Sequence, residues 1–186
     1  MNRAGKLAAA LALALPLSID VSRATTGQEL RVVPSVDLSR YAGTWYEIAR
    51  LPNRFQDSCA GEVTATYRID ENGEIDVLNR CRQANGKMKS ARGSARRASP
   101  SEPSSKLKVR FAPALLSFVP WVWGDYWIIG LAPDYSYAVV GDPSRKYLWI
   151  LSRTPQMEEA VYRKILEEAK KQGFNISRIS RTRQER

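Results

Sequence analysis

The chain has 186 residues, 44% of them hydrophobic, enough for one domain with one core, and a formal net charge of +10. It contains no histidine and two cysteines, which removes the commonest general base and transition-metal ligand and leaves too few thiolates for a four-ligand zinc site. No metal or cofactor is therefore expected. The positive charge favours anionic partners such as lipid headgroups. The basic residues are spread along the chain apart from Arg92, Arg96 and Arg97 and a tail of Arg178, Arg181, Arg183 and Arg186, so they read as a solvated face and not as a nucleic-acid surface.

Met1 to Lys6 carries Arg3 and Lys6, Leu7 to Leu17 is rich in alanine and leucine, and Ser22-Arg23-Ala24 offers small residues at a cleavage point. This pattern predicts a secretory signal over residues 1–24, with an uncleaved N-terminal anchor as the alternative. The apolar run is too short to span a bilayer comfortably. Residues 25–40 form a polar leader with Pro34 and no clear period.

From Gly43 onward, short β-rich runs follow one another between turn residues, at spacings of about ten residues. They are Thr44–Arg50, Val63–Ile69, Glu74–Cys81, Lys87–Ala95, Lys106–Phe111, Tyr126–Leu131, Tyr137–Val140 and Tyr147–Ser152. Asp70-Glu71-Asn72-Gly73 is a hairpin turn, with Gly73 free to take a positive φ. That turn pairs residues whose numbers sum to 144 and sets Cys81 opposite Val63, so Cys59 lies four residues off register. In an exported protein an even pair of cysteines reads as a Cys59–Cys81 disulfide, which here needs a bulge near Gly61; two free thiols are the alternative.

Thr154 suits an N-cap and Pro155 a first helical position, predicting a helix over about 155–172 that Gly173 ends. Glu158 and Glu159 sit at its positive end, and Lys170 and Lys171 at its negative end. Met157, Val161, Ile165 and Ala169 make one apolar stripe, for which the outward-facing Leu148 and Ile150 of the last long strand offer a partner. Phe174-Asn175-Ile176-Ser177 alternates like a short final strand. The order predicts an all-β fold, an eight-stranded antiparallel up-and-down barrel over 41–180 with one C-terminal helix, then a basic tail at 181–186. If the barrel brings Trp45 and Arg153 together, the guanidinium can lie flat on the indole and close one end.

Gly43-Thr44-Trp45-Tyr46-Glu47-Ile48-Ala49-Arg50, Val63-Thr64-Ala65-Thr66-Tyr67 and Tyr147-Leu148-Trp149-Ile150-Leu151-Ser152-Arg153-Thr154-Pro155 carry a family likeness. Gly43-x-Trp45 resembles the first lipocalin signature, and Ser152-Arg153-Thr154-Pro155 resembles the third. The stretch from Gly43 to Ile179 resembles the bacterial lipocalins, which are similar to apolipoprotein D. The resemblance implies a barrel that binds a hydrophobic small molecule such as a fatty acid or lysophospholipid. Several bacterial members are lipid-anchored at the outer membrane; no cysteine follows the expected cleavage point here, so a periplasmic or secreted protein, peripheral at most, is expected.

Strand alternation sorts the faces. With Arg153 inward, Leu151, Trp149 and Tyr147 share its face, the last two nearer the open end. Val63, Ala65, Tyr67, Ile75 and Val77 form inward sets, with Asn79 in phase; Leu107, Val109 and Phe111 face in on the fifth strand. Alternation cannot decide the next two strands, where the resemblance implies Tyr126, Ile128, Ala138 and Val140 inside. Asn79, Tyr126 and Tyr147 can hydrogen-bond a ligand headgroup or satisfy one another. Glu47 also points inward and needs a partner, either as a polar contact in the ligand cup or, more simply, in a structural pair with an inward basic or tyrosine group.

The loop from Ala112 to Trp123, with Leu115, Leu116, Phe118, Trp121 and Trp123, is too apolar to sit uncovered and reads as a lid over the mouth or a bilayer contact, with an ordinary packed loop as the alternative. The function expected is an exported binding protein for lipid carriage, storage or envelope maintenance, a monomer or homodimer without enzymatic activity. The alternatives are a lipid-modifying enzyme or isomerase on the same barrel, in which only Glu47 could move a proton from inside, and a membrane-docking structural protein with a filled barrel.

Overall fold

The computed structural model describes residues 29–185 apart from Asn72, Pro120 and Trp121. The expected export segment at 1–24, the first leader residues and Trp121 lie outside the described residues. In chain order the elements are α1 (Leu38–Tyr41), β1 (Gly43–Arg50), β2 (Cys59–Ile69), β3 (Ile75–Gln83), β4 (Met88–Arg97), β5 (Lys106–Arg110), β6 (Gly124–Leu131), β7 (Tyr137–Gly141), β8 (Leu148–Ser152), α2 (Glu159–Lys171) and β9 (Ser180–Arg181). Each of β1 to β7 pairs antiparallel with the next, and β8 returns to β1, so the eight strands close on themselves. Closure leaves no long edge for another chain to pair with.

Two apolar layers follow from the period-two alternation. Trp45, Tyr67, Val77, Leu107, Ile128, Val140 and Leu151 fill the inner layer with Val36 and Tyr41 of the leader. Ile48, Ala49, Leu148 and Ile150 face outward against Tyr162, Ile165 and Ala169 of α2. The leader is therefore not a loose preface. Its Asp37 side chain accepts from the Ser39 and Arg40 amides and starts α1, while the Val33 amide donates to the Ile128 carbonyl and Ser105 Oγ donates to the Val33 carbonyl. The leader thus crosses the lower end of the barrel and joins its core.

Two sequence expectations need correction. The helix begins at Glu159 with Glu158 at the N-cap position, not at Pro155. Thr154 does not cap: it lies too far ahead of the helix, its hydroxyl donates to the Gln156 carbonyl, and residues 154–158 carry the chain from the barrel end to the outer wall. The final strand is Ser180–Arg181, not Phe174–Ser177. Gly173, at φ +88°, ends the helix in a left-handed turn; the Phe174 amide bonds back to the Ala169 carbonyl and its ring is buried under α2, followed by a single 3-10 turn at Ile176–Arg178. Four alternating residues were too few to separate a strand from a helix C-cap followed by a 3-10 turn.

The hairpin register is as derived: Ile69 faces Ile75, Tyr67 faces Val77 and Thr64 faces Arg80. It then slips twice, between Thr64 and Gly61 and between Gly61 and Cys59, with Glu62 at φ +49°. This bulge brings the Cys59 and Cys81 Cα atoms to 5.6 Å, and the two residues form a disulfide.

Candidate ligand site: a sealed floor and an open mouth

The floor is built around Trp45, which is fully buried. Arg153 Cζ lies 3.7 Å from the indole centroid, and the guanidinium donates to the carbonyls of Arg40, Tyr41, Ala42 and Thr44 at 2.6–3.1 Å. The indole Nε1 donates to the Tyr41 carbonyl at 2.8 Å. Five hydrogen bonds thus tie the last barrel strand, the first and α1 into one plug. Gly43 of the Gly-x-Trp motif is required twice over: its φ is +100°, and a Cβ there would lie 3.2 Å from Arg153 Nη1.

Above the plug, Tyr126 Oη lies 2.8 Å from both Tyr41 Oη and Tyr67 Oη. Tyr126 is therefore spent on its neighbours. Burial pushes the Tyr67 hydroxyl up to about 12, partly offset by its bond with Tyr126. Burial, then the closeness of the other phenols, holds Tyr126 well above its ordinary 10.0, and burial does the same for Tyr41. The sign follows. Unfolded tyrosines lose their protons near pH 10.0, while the folded ones keep them, so the stabilisation is complete below pH 10.0 and is lost as pH rises through about 12. Urea midpoints should stay flat up to about pH 10 and then fall steeply. Tyrosinate absorbance from all eight tyrosines appearing at the ordinary midpoint with the fold intact would refute this account of the triad.

Higher in the barrel, Ala65 and Asn79 face one another across β2 and β3, and Ala91 of β4 follows in the same row. These inner-face residues are not sealed: Ala65, Asn79, Val109, Tyr126 and Trp149 are half-buried and Ala91 is exposed. Asn79 Oδ1 is buried with no hydrogen-bond partner among the described residues. Ile128, Ala138 and Val140, expected inside the barrel, are there but fully buried, packed in the inner core with Tyr67 and Val77. Phe111 lies just past the end of β5 at the rim, 45% exposed, where its ring covers Gly93. Tyr147 stacks on Trp149, with centroids 5.9 Å apart, and meets Phe55 at 5.7 Å on the rim.

A polar cluster that alternation did not foresee occupies the β1 side of the mouth. Glu47 is 2% exposed. Arg50 Nη1 donates to its carboxylate at 2.7 Å and Gln56 Nε2 at 2.6 Å, and the Thr182 hydroxyl donates as well. Trp149 Nε1 donates to Gln56 Oε1 at 2.8 Å. By simple alternation Arg50 would point out. A register shift between Glu47 and Ala49 places Ile48 and Ala49 together on the outer face and returns Arg50, opposite Trp149, to the inner one. The tail reaches the same place: β9 pairs with β1, the Glu62 amide donates to the Arg183 carbonyl, and Gln184 Nε2 donates to the Glu47 and Val63 carbonyls. Residues 180–184 therefore fill the slit that opens where β1 and β2 part.

The loop after β5 turns outward. Trp123 packs on the outer wall between Arg96 Cζ at 4.2 Å and Arg110 Cζ at 5.1 Å from its ring, with its Nε1 on the Ser117 carbonyl. Leu115 and Phe118 are left 81% and 78% exposed at the open end, and Leu116 39%.

Residues 36–184 match the model of the lipocalin-like domain. The chain is 45% identical over 161 residues to temperature-induced lipocalin-1 of Arabidopsis thaliana, with 86% of each protein covered. It is 36% identical over 178 residues to the outer membrane lipoprotein Blc of Escherichia coli K12, covering 91% of this chain and 92% of Blc. Among solved structures, the cockroach allergen Per a 4 shares the fold with a TM-score of 0.64 at 21% identity, over 86% of this chain and 95% of that one. A closed eight-stranded barrel, an arginine laid over the tryptophan of a Gly-x-Trp strand and a match along nearly the whole described chain lead to one conclusion: the chain belongs to the lipocalin family, whose members bind small hydrophobic ligands.

Proposed function

We propose that this lipocalin is an exported carrier of a single-chain lipid, held tail-down in the barrel, and that lysophospholipid is preferred over free fatty acid. The supporting observation is the unpaired acceptor Asn79 Oδ1 on an inner face that is not sealed. A buried acceptor without a donor is costly. The glycerol hydroxyl of a lysophospholipid supplies a donor; an ionised fatty acid carboxylate has none. Small and flat side chains, Ala65, Ala91 and the rings of Tyr126 and Trp149, share that inner face and are likewise not sealed. Export is supported by the charged and then apolar run over residues 1–24.

An enzymatic reading has little to work with. Glu47, the inward acid, already accepts from Arg50, Gln56 and Thr182 and is almost wholly buried, so its role is to hold the mouth cluster together.

The test is displacement of a fluorescent fatty acid from the full chain by lysophosphatidylcholine and by oleate. Lysophospholipid should compete better, and Asn79→Leu should erase most of that preference, by about tenfold, while oleate changes little. Ala65→Trp should block both ligands with the fold retained, because its ring would take the room that a bound tail needs. A wild-type chain that takes up no probe, together with an Ala65→Trp variant destabilised by about 1–3 kcal/mol from overpacking, would mean a filled barrel.

A second reading concerns the mouth. Phe55, Met88, Phe111, Leu115, Leu116 and Phe118, all exposed, belong to the open end. We propose that this end rests on a bilayer surface through Leu115 and Phe118, a position from which lipid could enter the barrel.

A further inference from the structure

A second crevice lies outside the barrel, beside the mouth. It has a volume of about 390 Å³ and is bounded by three segments: the stretch after β1 (Leu51 to Arg54), the β7–β8 turn (Arg145 to Tyr147) and the 3-10 turn after α2 (Asn175 and Arg178). Four of its side chains, Arg54, Arg145, Lys146 and Arg178, are cationic, and no carboxylate lines it. Asp57 and Asp142, each three residues from a lining arginine, are not among the lining residues, and Asp142 is turned into its own loop, where it accepts from the Tyr147 and Ser144 amides. Among the described residues Arg54, Lys146 and Arg178 make no ion pair. Arg145 is held rigidly: its Nε donates to the Gln172 carbonyl at 2.7 Å and its Nη1 to the Pro143 carbonyl at 3.0 Å. Asn175 Oδ1 accepts from Ser177 Oγ, which turns the Asn175 amide donors away from that contact and leaves them for a guest.

Cations from three separate segments facing one concave space repel each other, and that repulsion is relieved when a multiply charged anion enters. Guanidinium forks match phosphate oxygens in pairs. Leu51, Pro52 and the Tyr147 ring give the crevice an apolar side that continues to Phe55 and the barrel mouth. We propose that this crevice binds a phosphate group, with Arg54, Lys146 and Arg178 as the charged ligands on a base set by Arg145. The site is separate from the barrel interior and stands whether or not the barrel carries lipid. A phosphate monoester on a short lipid and free inorganic phosphate present the same chemistry; the apolar side favours the lipid.

Calorimetric titration of the full chain with dihexanoyl phosphatidic acid, kept below micelle formation, and with inorganic phosphate tests the site. Phosphatidic acid should bind in a salt-sensitive manner, and Arg54→Gln/Lys146→Gln should weaken it by at least about tenfold, each lost contact being a charge-assisted one. Arg80→Gln/Arg92→Gln removes the same charge from exposed positions on the far wall and should change little. Tighter binding of the ester than of inorganic phosphate identifies a lipid source, and equal binding identifies free phosphate; either supports a phosphate site. Displacement of the fluorescent fatty acid should be the same in wild type and Arg54→Gln/Lys146→Gln. No binding of either phosphate compound, equal losses in the two double variants, or an equal loss of fatty acid binding in Arg54→Gln/Lys146→Gln would overturn the proposal.

Discussion

Trp45→Ala should cost about 3–5 kcal/mol of stability, a large share of what holds a domain of this size together. The indole is fully buried between Tyr41, at 5.0 Å, and Arg153, at 3.7 Å. Truncation removes its transfer energy and leaves a cavity that α1 and the first strand cannot both move to fill, since each is tied to Arg153 through its carbonyls. It also strips one face from a guanidinium already partly withdrawn from water. Arg153→Lys keeps the charge but loses the planar fork that reaches four carbonyls, so it should be clearly destabilising rather than conservative. A double-mutant cycle between the two positions should give a coupling of about 0.5–2 kcal/mol for the stacked pair. Urea unfolding measures all three, and a Trp45→Ala protein as stable as wild type would show that the floor does not depend on this contact.

The other large effect is expected at the mouth. Full burial of a leucine or phenylalanine side chain is worth about 1.5–3 kcal/mol each. Leu115 and Phe118 are so exposed that the fold gains almost nothing from them. If they enter the acyl region of a bilayer, Leu115→Asp/Phe118→Asp should lower partitioning onto phosphatidylglycerol vesicles by about a hundredfold or more, with no loss of stability in solution. Trp123→Ala should behave differently, because Trp123 is held against the barrel wall by Arg96 and Arg110. Vesicle sedimentation that is unchanged in Leu115→Asp/Phe118→Asp would remove the bilayer reading; a slowed uptake of fatty acid with unchanged sedimentation would mark the loop as a lid.

The strands were legible because period-two alternation is a local property, and a barrel wall with one face on a core enforces it. Lys106-Leu107-Lys108-Val109-Arg110 shows this plainly: Leu107 and Val109 pack inward and Lys106 pairs outward with Glu102. The hairpin arithmetic around Gly73 held for the same reason, as did the stripe of α2, of which Ile165 and Ala169 are buried against Leu148 and Ile150. Phe174 was misread because a four-residue run fits both periods, and only the burial of its ring under α2 settled it.

Composition and short-range pattern pointed by themselves to a β-barrel with one packed helix, a cysteine pair near one end and a Gly-x-Trp strand. Those features depend on residue type and on spacings of two to four. Three things were decided only in three dimensions. A one-residue bulge beside Ile48 reversed the phase of β1 and brought Arg50 to Glu47. The basic tail became part of the wall, filling the gap between β1 and β2 with Thr182 and Gln184. Arg54, Lys146 and Arg178, far apart in the chain, came to line one crevice. Each depends on a chain reversal or a register slip, where a single residue more or less changes which side chains meet, and no local period carries that information.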